Sequence, residues 1–135
     1  MTKKTAKALL DTSVFIANES GRPIDAAALP DEAFVSVITV AELHAGVLAA
    51  RDTSTRSQRL ATLNAVSALD PLVVDAAAAS QWAALRVQLA EQGRRAKIND
   101  LWIAAIAAAN GLPVVTQDDD FDPIEAVGGP AVIRV

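Results

Sequence analysis

The sequence predicts an α/β sandwich, a parallel sheet of about five strands with helices on both faces. Three observations predict it. Short apolar runs occur at residues 8–10, 34–37, 72–74, 113–116 and 131–135, too brief for helices and bounded by turn or helix-start residues. Longer helix-like stretches alternate with them, the pattern of strands joined by crossover helices. The composition is 52% hydrophobic but only 4% aromatic, so Ala, Val, Leu and Ile must fill a core of closely packed helices and sheet.

The elements follow in order. Residues 8–10 form a first strand that ends at Asp11-Thr12-Ser13, residues that favour a helix start. Residues 34–37 form a second strand. Thr39 and Glu42 then have the spacing of a capping box, which opens a helix through about residue 50. A polar helix spans residues 54–68 and is broken by Asp70-Pro71. A third strand at 72–74 leads into a long Ala-rich helix over 76–92, stopped by Gly93. A basic loop, Arg94-Arg95-Ala96-Lys97, precedes a helix over 100–110 with Asn99 as its cap and Gly111 at its end. That helix is apolar nearly all round, through Leu101, Trp102, Ile103 and Ile106, and should be buried between other elements. A fourth strand at 113–116 and an edge-like fifth at 131–135 complete the sheet.

A length of 135 residues without a Pro/Gly/Ser-rich linker reads as a single domain over residues 1–135. The absence of Cys excludes disulfide frameworks and thiolate zinc sites and fits a reducing compartment. Asp11 interrupts the apolar stretch behind Lys3, Lys4 and Lys7 well short of a signal-peptide core, so a cytoplasmic location is expected. The longest apolar run, residues 101–109, is about half of what a membrane span needs, so no membrane association is expected. A net charge of −4 argues against a broadly basic nucleic-acid surface. If RNA is the substrate, local cations must bring it in, and Arg94, Arg95 and Lys97 are the candidates.

Ligands of open parallel sheets bind outside the carboxyl ends of the strands, and here the residues just past the strands are acidic. Asp11 follows the first strand, Glu42 lies in the helix after the second, and Asp118 lies just past the fourth. Asp100 opens the buried helix that leads into the fourth. Carboxylates gathered at one edge repel unless a cation or proton sits among them. Magnesium and manganese prefer oxygen ligands and are held by one or two carboxylates, with substrate phosphate and water completing the shell. Phosphodiester hydrolysis is the reaction such a site suits.

Four motifs then carry a family resemblance across nearly the whole chain. They are Leu10-Asp11-Thr12-Ser13-Val14; Ser36-Val37-Ile38-Thr39-Val40-Ala41-Glu42-Leu43 with Gly46; Asn99-Asp100-Leu101-Trp102-Ile103-Ala104-Ala105; and Val115-Thr116-Gln117-Asp118-Asp119-Asp120-Phe121. Each alone is weak, but the four in this order resemble the PIN domain, and within it the VapC-type ribonuclease toxins of bacterial toxin–antitoxin pairs. The resemblance implies a PIN-like α/β/α sandwich and a metal-dependent endoribonuclease. Its acidic set falls on Asp11, Glu42, Asp100 and Asp118, with Asp11 and Asp100 as ligands of Mg2+ (or Mn2+) and Thr12 and Thr116 lending hydroxyls. It also implies a homodimer and a cognate VapB-type antitoxin that holds the toxin inactive.

Other readings compete at each position. Glu42 has the capping role, Asp100 complements a helix dipole, and the Arg94 to Lys97 loop has the look of an ordinary exposed turn. Asp119, Asp120 and Asp122 read as solvated loop charges; Asp118 is preferred to Asp120 as the fourth site carboxylate, with Phe121 anchoring the loop. His44 receives no role, and Trp82 and Trp102 read as core or subunit contacts. Two alternative functions are a receiver-like phospho-acceptor domain, which lacks its late Lys here, and a non-catalytic PIN-like binding domain.

Overall fold

The computed structural model describes residues 5–135. Four strands, β1 (Lys7–Leu10), β2 (Glu32–Phe34), β3 (Val114–Thr116) and β4 (Val132–Arg134), form one parallel sheet in the order β2-β1-β3-β4. Six α-helices connect and cover them: α1 (Thr12–Ser20), α2 (Val37–Ala49), α3 (Thr53–Ser67), α4 (Ala76–Glu91), α5 (Ile98–Ala109) and α6 (Asp122–Ala126).

Both sheet faces are buried, because successive side chains alternate between them. Leu9 and Val114 face a core built with Leu85 and Leu89 of α4, Ile103 and Ile106 of α5, and Phe121 and Ile124. Their neighbours Ala8, Leu10 and Val115 face the other way, against Val14 and Phe15 of α1. A third cluster, Val35, Leu43, Val47, Leu63 and Val66, joins α2 to α3. As its all-round apolar sequence predicts, the body of α5 is buried, with Leu101 and the run from Ile103 to Ala107 inaccessible, while its first two residues, Ile98 and Asn99, are exposed.

The predicted third strand at 72–74 reduces to a single parallel bridge between Leu72 and Ser36, so the sheet has four strands. Leu72 N–H donates to Val35 O and its carbonyl accepts from Val37 N–H, both at 2.9 Å. Beyond that point the chain after β2 is already helical, and Val73 and Val74 have nothing to pair with and stand exposed.

Two caps also differ from expectation. The N-cap of α2 is Ser36, whose Oγ accepts from Thr39 N–H at 3.3 Å, so Thr39 lies inside the helix and the Thr39–Glu42 capping box does not form. Helix α5 begins at Ile98 behind Lys97 with no side-chain cap, so Asn99 is a helical residue rather than the cap.

The chain leaves β1 toward β2 on one side, while β3 pairs on the other. The crevice of such a sheet opens where the order reverses, outside the carboxyl ends of those central strands. That point lies between β1 and β3, where Asp11 N–H donates to Val115 O at 2.8 Å and fixes the first acid to the ladder.

Candidate acidic site

Asp11 is both the first residue past β1 and the N-cap of α1. It is 4% exposed, and its Oδ2 accepts from Ser13 N–H at 3.3 Å and lies 3.1 Å from Thr116 Oγ1. Burial is the main cause that raises its carboxyl above the usual range; the Ser13 and Thr116 hydrogen bonds oppose this, and the Asp118 charge adds to it.

Thr116, fully buried at the end of β3, joins two acids. Its Oγ1 is also 3.2 Å from Asp118 Oδ1, and its single proton serves one carboxylate at a time. Ser13 Oγ lies 3.2 Å from the same hydroxyl and accepts from Gln117 N–H at 3.0 Å, which ties the start of α1 to the loop after β3.

A second hydroxyl pair serves Glu42. Thr12 Oγ1 donates to Glu42 Oε1 at 2.7 Å and lies 2.9 Å from Thr39 Oγ1. Because Thr12 has one proton and directs it at Glu42, Thr39 is the donor to Thr12. Thr39 O–H, Thr12 O–H and the Glu42 carboxylate therefore form a relay that orients Glu42 from inside the fold.

Asp100 occupies the first turn of α5. Its Oδ2 is buried and has no hydrogen-bond partner. Burial, then the charge of Asp11, then those of Asp120, Asp118 and Glu42, push its carboxyl up to about 7. Asp11, Asp118 and Glu42 thus all bear on Asp100 at one edge of the sheet. Among the described residues no three of them close into a ready-made metal cage. Such a set suits a hard divalent ion that keeps much of its water and takes one or two carboxylates.

The acids after Asp118 have cationic partners. Asp120 Oδ2 accepts from Lys97 Nζ at 2.8 Å, and Asp119 pairs with Arg134 at 2.6 Å, as Asp122 also does. Asp120 also donates its backbone N–H to Asp118 Oδ1 at 3.2 Å. Phe121 anchors this loop in the main core, as expected. Arg94 and Arg95 are exposed in the loop before α5, whereas Lys97 is held by Asp120 rather than free.

Sequence reasoning missed Ser13 and Thr39 as parts of the site. Both lie inside the quoted motifs. Nothing in those motifs marks the hydroxyls as partners across the fold, because Thr39 is 27 positions from Thr12 and Ser13 is 103 from Thr116.

Comparison with known proteins supplies the context for this geometry. The PIN domain family model matches residues 8–126. The chain is similar to Ribonuclease VapC5 of Mycobacterium tuberculosis, at 55% identity over 135 residues and 100% of both chains. It is also similar to Ribonuclease VapC4 of the same organism, at 41% identity over 115 residues, 85% of this chain and 88% of that one. Among solved structures it resembles VapBC-5 of M. tuberculosis, a member of the VapBC family of toxin-antitoxin systems. That match has a TM-score of 0.85 and 54% identity, and covers 96% of this chain and 99% of that one. A parallel sheet with its acids at the switch point, matched by the family model and by a relative over its full length, places the chain in the PIN-domain family, within its VapC branch.

Proposed function

We propose that this chain is a metal-dependent endoribonuclease, the toxin of a VapBC-type pair, built as one PIN domain and working in the cytoplasm. One observation carries the reading: Asp100 Oδ2 is buried without a partner, in the field of Asp11, Asp118 and Glu42. A buried carboxylate oxygen among like charges is costly unless a proton or cation satisfies it. The relatives' names support RNA as substrate, and the VapBC match supports a cognate VapB-type antitoxin. No helix among the described residues is long and apolar enough to cross a membrane. A homodimer is part of the same proposal, and PIN membership removes the ground for the receiver-like alternative.

Asp11 and Asp100 would hold Mg2+ or Mn2+, with Asp118 and Glu42 completing the acidic field. The ion, when bound, activates water and stabilises the leaving oxygen of an in-line displacement at phosphorus. The chain's own residues do the positioning. Thr116 and Ser13 N–H fix the Asp11 carboxylate, and the Thr39–Thr12 relay turns Glu42 into the site. Asp100, whose carboxyl is pushed up to about 7 by burial and by the charge of Asp11, would release its proton where a cation is held. Arg94 and Arg95 would supply the cationic contacts to RNA that a chain of net charge −4 lacks elsewhere, with Lys97 acting from its bridge to Asp120.

Incubation with total RNA and Mn2+ or Mg2+, with and without EDTA, followed by mapping of the cut ends, tests this directly. Discrete cuts that EDTA abolishes are expected; intact RNA in the presence of metal would overturn the reading.

A further inference from the structure

A cavity of about 710 Å3 lies between the end of α4 and the start of α5, and its walls include Arg86, Arg94, Arg95, Leu89, Ile98 and Leu101. Three of the chain's arginines meet there. Among the described residues, none of the three forms an ion pair with a carboxylate. Arg86 is mounted in a defined way: its guanidinium lies over the Trp82 ring, 5.4 Å from the centroid, and Trp82 stacks on Trp102 at 4.9 Å and 18°. A guanidinium held by its face keeps its N–H edge free for a planar, bidentate acceptor such as phosphate.

The rest of the wall is apolar. Ile98 is 65% exposed at the mouth of the cavity, and Leu89 and Leu101 form a buried floor. Arg95 and Ala96 also line a neighbouring cavity of about 400 Å3 with Lys97, Asp119 and Asp120. The arginine cavity therefore shares Arg95 and Ala96 with a cavity that reaches the loop after Asp118.

Resting on the ribonuclease reading, we propose that this cavity is a nucleotide subsite for the RNA strand beyond the scissile phosphate. Arg86, Arg94 and Arg95 hold a flanking phosphate, while Ile98, Leu89 and Leu101 receive its unstacked base. The occupant is single-stranded RNA because the pocket joins anion-binding edges to an apolar base-sized wall, the pairing by which unstacked nucleotides are held.

Binding and cleavage are measured separately. Fluorescence anisotropy in EDTA, where the RNA stays intact, compares wild type with Arg86→Ala, Arg86→Lys and Arg94→Ala/Arg95→Ala on a labelled single-stranded RNA of about 16 nucleotides. Each alanine variant should bind about tenfold more weakly with a shallower salt dependence, and an unchanged melting temperature shows that the fold is intact. Arg86→Lys should lose nearly as much, because an ammonium cannot reproduce a stacked, bidentate edge. Wild-type affinity in the alanine variants, full affinity in Arg86→Lys, or no RNA binding by wild type would each overturn the subsite. So would arginine-dependent binding of poly-glutamate that is tighter than that of RNA, which would assign the cavity to an acidic protein segment. Wild type that binds RNA through these arginines but never cuts it with Mn2+ would leave the subsite standing and overturn the nuclease instead.

Discussion

Four carboxylates at the switch point are not equivalent, and their partners assign them different duties. Asp11 and Asp100 are the two whose burial lifts them above the ordinary carboxylate range, so each gains most from a cation. Asp11→Asn and Asp100→Asn should each lower RNA cleavage by more than about a hundredfold with the fold retained, as read by product formation and circular dichroism. Activity retained in either would remove that residue from the metal site. The fourth position lies between Asp118 and Asp120. Asp118 shares the Thr116 hydroxyl with Asp11, whereas Asp120 spends an oxygen on Lys97. Asp120 nevertheless acts on Asp100 more strongly than Asp118 does, so the assignment rests on hydrogen bonding rather than on proximity of charge. The manganese concentration for half-maximal cleavage should rise about tenfold or more in Asp118→Asn and change little in Asp120→Asn. The reverse order would transfer the role to Asp120.

Secondary structure decides which of these duties can be read without coordinates. The places of Asp11, Asp100 and Asp118 in the fold were legible because strand ends and helix starts are marked locally, by short apolar runs and by helix-favouring residues, whereas Glu42 was placed in its helix by a capping box that does not form. Their partners were not, because a hydrogen bond such as Thr12 to Glu42 joins helices 30 residues apart. The same limit explains the misplaced cap. Ser36 and Thr39 are both suitable caps at compatible positions, and only the bridge from Ser36 to Leu72 ends the extended chain at Ser36 and frees Thr39 for the site. Residues 72–74 have strand-like composition, yet a strand needs a partner, and α2 has taken it away. The two hydroxyls can be separated by experiment. Ser36→Ala should cost about 1 kcal/mol in denaturant unfolding with the site's metal dependence unchanged. Thr39→Val, which keeps shape but removes the donor to Thr12, should leave stability nearly unchanged and lower cleavage about tenfold. A Thr39→Val protein that cuts RNA as well as wild type would reduce the relay to packing.

Stability of the whole molecule should carry the mark of the acidic site, since a group whose titration differs between folded and unfolded chain ties folding to pH. Asp100 titrates at about 7 in the folded chain against 3.8 in the unfolded one, and Asp11 is raised as well. Across that interval the folded chain binds more protons than the unfolded chain. Metal-free stability from this source is therefore fully present below about pH 4 and lost as pH rises through 7, opposite to the usual behaviour of a salt-bridged carboxylate. The informative quantity is the difference between wild type and Asp100→Asn. Melting temperatures in EDTA should be similar near pH 4 and diverge upward, with Asp100→Asn about 3–6 °C the more stable at pH 8. Manganese should then close the gap, because an ion that binds only the folded wild type adds about 2.7 kcal/mol at a concentration a hundredfold above its dissociation constant. Parallel curves across the whole range, with no selective gain on adding manganese, would mean that Asp100 does not feel the other carboxylates.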